Sequence, residues 1–68
     1  MDERAREDMI KSVSYSIEKN HCAIKRDELF RKFKNTSREE LQSVIDTMKR
    51  RKLLIYDDKV DKYRIVMK

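Results

Sequence analysis

The chain contains no glycine, no proline and no tryptophan, and its one cysteine, Cys22, has no second thiol for an intramolecular disulfide. Without glycine and proline it is neither linker-rich nor collagen-like, and no glycine-rich loop is available to cradle a phosphate. A solitary thiol fits a reducing compartment. No apolar run approaches the roughly 18–20 residues of a membrane span, and no signal-peptide pattern is present. The expected location is therefore the cytoplasm of a prokaryote or infected host cell, or the nucleus, with no membrane partner. Reactive clusters are equally scarce. His21 and Cys22 adjoin in sequence, where neighbouring side chains diverge, and no third group accompanies them. A zinc site wants four ligands and a thiol nucleophile wants a positioned base. His21 reads as a loop residue and Cys22 as a small semi-buried hydrophobe. With no carboxylate pair and no metal motif, the expectation is a non-enzyme using no cofactor and no metal.

What the sequence has in quantity is charge. Charged residues make up 46% of the 68 positions, hydrophobic residues only 38%, and the formal net charge is +5. A chain of this length forms one domain at most, here residues 1–68, and buries only about 60% of its unfolded surface. The apolar residues nevertheless fall in periodic clusters, which indicates a small globular domain with a charged coat and not a disordered chain. The charge is unevenly spread: −1 over residues 1–20, +3 over 21–36, +2 over 37–52 and +1 over 53–68. Such asymmetry favours a polyanionic partner, through phosphate neutralisation and counterion release; a solvated lysine-rich surface is the alternative.

The spacing of apolar residues predicts three helices and two main strands. Over residues 3–19, Ile10, Val13 and Ile17 form one stripe, widened by Met9, and Asp2, Glu3, Glu7 and Asp8 crowd the dipole-favoured N-terminal half. Asn20 stands where a left-handed cap is expected. Ala23-Ile24 is a short extended candidate. Residues 26–34 read as a second helix with Leu29, Phe30 and Phe33 facing inward, closed by Asn35. Ser37 through Glu40 fits the S-x-x-E capping box, and Leu41, Val44, Ile45 and Met48 follow at i, i+3, i+4 and i+7. This third helix is expected to reach about residue 52. Only Lys34-Asn35-Thr36 separates it from the second helix, so the two must cross sharply. Leu53–Tyr56 and Lys62–Val66 are strand-like, joined by a polar loop of four or five residues. The four-residue apolar run at 53–56 does not reveal which side chains point inward.

The order helix, short strand, helix, turn, helix, hairpin resembles the winged helix-turn-helix superfamily. The resemblance is carried by Ala23-Ile24, Asp27-Glu28-Leu29-Phe30, Thr36-Ser37, Val44-Ile45-Asp46-Thr47-Met48, Leu53-Leu54 and Tyr63-Arg64-Ile65 over nearly the whole chain. It implies an α+β fold, a small winged helix of three helices with a short strand and a C-terminal β-hairpin wing. Members mostly bind double-stranded DNA, with the third helix in the major groove, and a minority bind protein or RNA. The chain departs from the family at Lys52, where glycine is usual because the position favours φ > 0. It departs further from the Z-DNA-binding subclass. Arg38 and Gln42 only approximate that subclass's Lys and Asn, Asp46 stands at its Tyr position, and the wing prolines are missing.

If the third helix buries its apolar stripe, Arg38, Glu39, Gln42, Ser43, Asp46 and Arg50 face outward, and of these Arg38, Gln42, Ser43 and Asp46 are the candidates for DNA base contact. Arginine suits bidentate contact to guanine, glutamine to adenine, and a carboxylate can accept from cytosine, although carboxylates oppose phosphate approach. Candidates for phosphate contact are Lys34, Thr36 and Ser37 at the helix N-terminus, Arg50 in its last turn, and Lys59, Lys62 and Arg64 in the hairpin. Two readings follow. One is a sequence-specific or general double-stranded DNA-binding module, a transcriptional regulator, with the Tyr15 region of the first helix as the surface for a homodimer. The other is a winged-helix interaction domain excised from a larger replication or transcription factor, whose partner is a protein in that complex.

Overall fold

The computed structural model describes residues 2–66. Its elements run α1 (Glu3–Lys19), β1 (Ala23–Lys25), α2 (Arg26–Lys32), α3 (Arg38–Arg50), β2 (Leu54–Asp57) and β3 (Lys62–Ile65). Three helices and one antiparallel sheet in the order β1-β3-β2 make a small α+β fold. The β2–β3 hairpin is joined by residues 58–61, and β1 pairs with the far side of β3 through Ile24 opposite Tyr63.

Burial explains the arrangement. Ile10, Val13 and Ile17 of α1, Leu41, Val44, Ile45 and Met48 of α3, and Ile24, Leu29, Leu54 and Tyr63 form one core. Each fully buried aliphatic side chain contributes about 1.5–3 kcal/mol relative to exposure, and neither the sheet nor any helix has another place to bury its apolar face. Alternation in the sheet sends Leu54, Tyr56, Tyr63, Ile65 and Ile24 to the core side, and Ile55, Asp57, Lys62, Arg64, Ala23 and Lys25 to the other. The undecided run at 53–56 is thereby resolved, with Leu54 buried and Ile55 52% exposed.

Local chemistry sets the ends of the elements. Asp2 caps α1, its carboxylate accepting from the Ala5 amide at 2.7 Å. Ser37 caps α3, its hydroxyl accepting from the Glu40 amide at 3.1 Å. The reciprocal half of the expected capping box, from the Ser37 amide to the Glu40 carboxylate, does not form among the described residues. Three boundaries differ from the sequence reading. Helix α2 stops at Lys32, because its C-cap Phe33 leaves the helical conformation (φ −108, ψ 41) and the Thr36 amide turns back to the Phe33 carbonyl at 2.9 Å, so the turn to α3 is longer than three residues. Asn20 keeps φ −98, and the left-handed conformation passes to His21 (φ 62) and Cys22 (φ 63). The third helix ends at Arg50, short of residue 52.

That last terminus shows how a chain without glycine turns. Lys52 takes φ 60, its amide donates to the Lys49 carbonyl at 3.0 Å, and the Leu53 amide donates to the Met48 carbonyl at 2.9 Å. These two bonds are those of a Schellman motif with lysine in the position glycine usually holds. A left-handed non-glycine residue costs about 1–2 kcal/mol. Lys52→Gly is therefore expected to stabilise the protein by about 0.5–1 kcal/mol, part of the relief being offset by unfolded-state entropy. Ile45→Ala, in contrast, is expected to cost about 2–5 kcal/mol. Urea denaturation of both variants checks the pair; a lower midpoint for Lys52→Gly would contradict the strain argument.

Candidate nucleic-acid interface

With the apolar flank of α3 held in the core, its opposite flank forms one wall of a cleft of about 620 Å³. Arg38, Glu39, Gln42, Ser43, Asp46 and Arg50 line it from α3, and Arg26 and Phe30 line it from α2. All four residues expected to meet bases, together with Arg50, thus share one concavity. The sequence reading did not include Arg26 and Phe30, which stand four apart on the same face of α2; that i, i+4 spacing was the available signal. Phe30, expected to point inward, is only partly buried: it packs on the core and offers its ring to the cleft.

Contacts inside the cleft set what each side chain has free. The Arg38 guanidinium lies 5.3 Å from the Phe30 ring centroid, an arrangement worth about 0.5–1 kcal/mol at an exposed site. It holds the arginine at the rim without using its hydrogen-bond donors. The Gln42 amide donates to Asp46 Oδ1 at 3.0 Å, so this pair must open before glutamine can present its amide to a base. Thr47 is buried, and its hydroxyl donates to the Ser43 carbonyl at 2.9 Å. Arg50 Nη2 reaches the same hydroxyl at 3.5 Å. Three guanidinium groups against the carboxylates of Glu39 and Asp46 leave the lining cationic by one charge.

The remaining phosphate candidates lie outside this cleft, in two groups. Lys34, Thr36 and Ser37 occupy the turn before α3, where the Thr36 amide is taken by the Phe33 carbonyl at 2.9 Å and Lys34 is exposed. Lys59, Lys62 and Arg64 belong to the hairpin. The register puts Lys62 and Arg64 on the outer sheet face with Lys25, directly opposite Lys62 on β1. Asp57 moderates this patch, with its carboxylate 3.6 Å from Arg64 Nε and accepting from the Lys59 amide at 3.1 Å.

The hairpin is fastened to the helical side by Asp61. Its carbonyl accepts from the Arg26 amide at 3.0 Å, its carboxylate lies 3.6 Å from Arg26 Nε, and the Tyr56 hydroxyl donates to the same carboxylate. Donation to Asp61 raises the Tyr56 hydroxyl above its ordinary pKa, with burial adding to the effect. Asp61 therefore connects the hairpin loop to Arg26, one of the cleft residues. On α1, Tyr15, the residue expected to mark a dimer surface, is 59% exposed with Lys19 Nζ 5.0 Å from its ring centroid.

One long-range ion pair ties α1 to the end of α3. Arg51 Nη1 lies 2.9 Å from Glu7 Oε1 and 2.8 Å from Oε2. The hydrogen bond from Arg51 holds the Glu7 carboxyl below the usual carboxylate range, against the opposing effect of desolvation. A lowered folded-state pKa means the pair stabilises the fold above the ordinary glutamate pKa, and the contribution disappears as pH falls through the lowered value. Arg51→Ala is expected to move the Glu7 titration upward, measured from the pH dependence of its carboxyl carbon chemical shift. An unmoved titration would show that Arg51 is not the cause.

Comparison of this chain with protein families, with curated proteins and with solved structures returns no match.

Proposed function

We propose that this protein binds double-stranded DNA as a winged-helix module, laying the outer flank of α3 in the major groove and the hairpin against neighbouring backbone, in the manner of a transcriptional regulator. The observation that carries this reading is the convergence of Arg38, Gln42, Ser43, Asp46 and Arg50 on one open cationic cleft. A helix with one flank committed to a core and the other lined with arginine and amide side chains has the chemistry to read base edges. The outer face of the sheet, with Lys25, Lys62 and Arg64 together, is a second cationic patch suited to phosphate contacts. Glu39 and Asp46 lower the affinity such a face can reach, and they favour sequences that offer a donor to a carboxylate.

A second reading, a protein-interaction domain of a replication or transcription factor, is favoured by one feature. The hairpin exposes Ile55 by 52% and Val60 by 46%, apolar surface that a phosphate backbone does not use.

Fluorescence anisotropy with a random-sequence duplex at two salt concentrations separates the two. About five phosphate contacts predict a log–log salt slope of roughly −4 to −5. Arg38→Ala is expected to cost about 1–3 kcal/mol on a preferred sequence and to relax preference there, while Lys62→Ala weakens all sequences alike and flattens the slope by about one. No binding at low salt, or charge reversal at Arg38 and Lys62 without effect, removes the DNA reading and leaves the protein partner.

A further inference from the structure

A second concavity, of about 250 Å³, lies where α1 meets the last turn of α3, and it is lined by Arg6, Thr47, Arg50 and Arg51. Three of these four residues are arginines, and Arg6 of α1 meets Arg50 and Arg51 at the end of α3 across more than forty positions of chain. Their internal pairing is incomplete. Arg51 is engaged by Glu7, and Arg50 reaches only the Thr47 hydroxyl, at the long distance of 3.5 Å. Arg6 Nε is buried and has no acceptor among the described residues. The Glu7 Oε2 atom shares the absence of a geometrically ideal hydrogen bond, yet it stands 2.8 Å from Arg51 Nη1 and so is compensated. Arg6 Nε has no such contact, and the Glu7 carboxylate acts on the Arg6 charge only through space. A buried donor without an acceptor is costly, more so when it belongs to a charged group. The pocket therefore holds cationic donors in excess of the acceptors the chain provides, which is the complement of an oxyanion.

We propose that Arg6, Arg50 and Arg51 hold a phosphate group, and that this phosphate belongs to the DNA strand flanking the groove that α3 enters; the second half of the inference rests on the DNA-binding reading. The guanidinium fork suits phosphate oxygens in a way an ammonium does not. Position supports the assignment to nucleic acid. Arg50 lines both this pocket and the larger cleft, so the two adjoin. Arg38 and Arg50 are twelve positions apart, which at a rise of ~1.5 Å per residue separates them by about 18 Å along the axis. The major groove is only about 12 Å wide. A helix crossing it with Arg38 at the base edges carries Arg50 beyond the groove and onto the sugar–phosphate strand, where α1 brings Arg6 alongside. The Glu7 carboxylate then acts on Arg51 as a positioning group, fixing its guanidinium at the pocket edge.

The test is arginine side-chain NMR on the unaltered chain, following the Nε–Hε signals of Arg6, Arg38 and Arg50 during titration with inorganic phosphate and, separately, with a random-sequence duplex. The expected result is a saturable shift of the Arg6 signal in both titrations. Arg6→Gln should then weaken duplex binding by about five- to tenfold near 0.1 M salt and reduce the log–log salt slope by about one, with the helical circular dichroism unchanged. If saturating duplex moves Arg38 and leaves Arg6 still, the proposed site is wrong while the interface on α3 stands. If the duplex moves neither but phosphate shifts Arg6 saturably, the nucleic-acid source is overturned and the pocket belongs to a free phosphorylated ligand. No Arg6 response to either titrant means that water alone satisfies Nε and overturns the site entirely. Because these outcomes are read on the unaltered protein, a folding defect in Arg6→Gln does not obscure them.

Discussion

Burial of one flank of α3 governs the rest of the molecule. Leu41, Val44, Ile45 and Met48 lie within the core, against Ile24, Leu54 and Tyr63 of the sheet and the stripe of α1. Successive residues of a helix are about 100° apart, so a shift of one position would drive Gln42 or Asp46 into that apolar space and leave it unsolvated. The rotation of the helix is therefore fixed, and with it the identity of every side chain on the outer flank. Thr47 shows how narrow the tolerance is. It is the buried polar residue on this helix, and it is accommodated because its hydroxyl bonds to the Ser43 carbonyl one turn earlier. The composition of the large cleft is a consequence of the composition of the core.

The sequence made α3 legible because two independent signals agreed there: a four-residue apolar stripe and a serine with the right neighbours to cap it. It also made the outer flank legible, since the face opposite a buried stripe follows from helical geometry alone. The second wall of the cleft was harder. Arg26 and Phe30 reach it from a seven-residue helix whose extent depends on tertiary packing more than on its own propensity. The same weakness misplaced the end of α2, where the Lys34-Asn35 pair suggested a longer helix than the turn at Phe33 permits. Contacts between distant segments, such as Glu7 with Arg51, leave no periodic trace at all. The short apolar run at 53–56 was ambiguous for a related reason: alternation is invisible when both faces carry hydrophobic residues, and only pairing with Ile65 and Tyr63 assigns Leu54 inward.

Turning a chain that has no glycine requires substitutes, and among the described residues four serve: His21, Cys22, Lys52 and Asp61 all carry positive φ. Each is held by neighbouring bonds. The His21-Cys22 turn is closed by the Asn20 side-chain amide donating to the Ala23 carbonyl at 2.7 Å and by the Ala23 amide returning to the Asn20 carbonyl at 3.4 Å. Lys52 is held by the bonds that end α3, and Asp61 by the Arg26 amide. Local preference opposes these conformations, while packing and hydrogen bonding impose them. The His21-Cys22 pair, the one pairing in the chain with chemical potential, is accounted for by this turn.

The attachment of Asp61 to both Arg26 and Tyr56 also bears on how association would proceed. A β-finger tethered only through its own two strands would sample many orientations, and a partner would have to arrest that motion on contact. Here the loop is anchored to the helical half before any encounter, so the spacing between finger and helix is a property of the free molecule. Such preorganisation reduces the entropic penalty of docking. Under the proposed function, a surface with the wrong separation between its two points of contact would have to break these anchors before the finger could follow it, so shape would contribute to selectivity alongside side-chain chemistry.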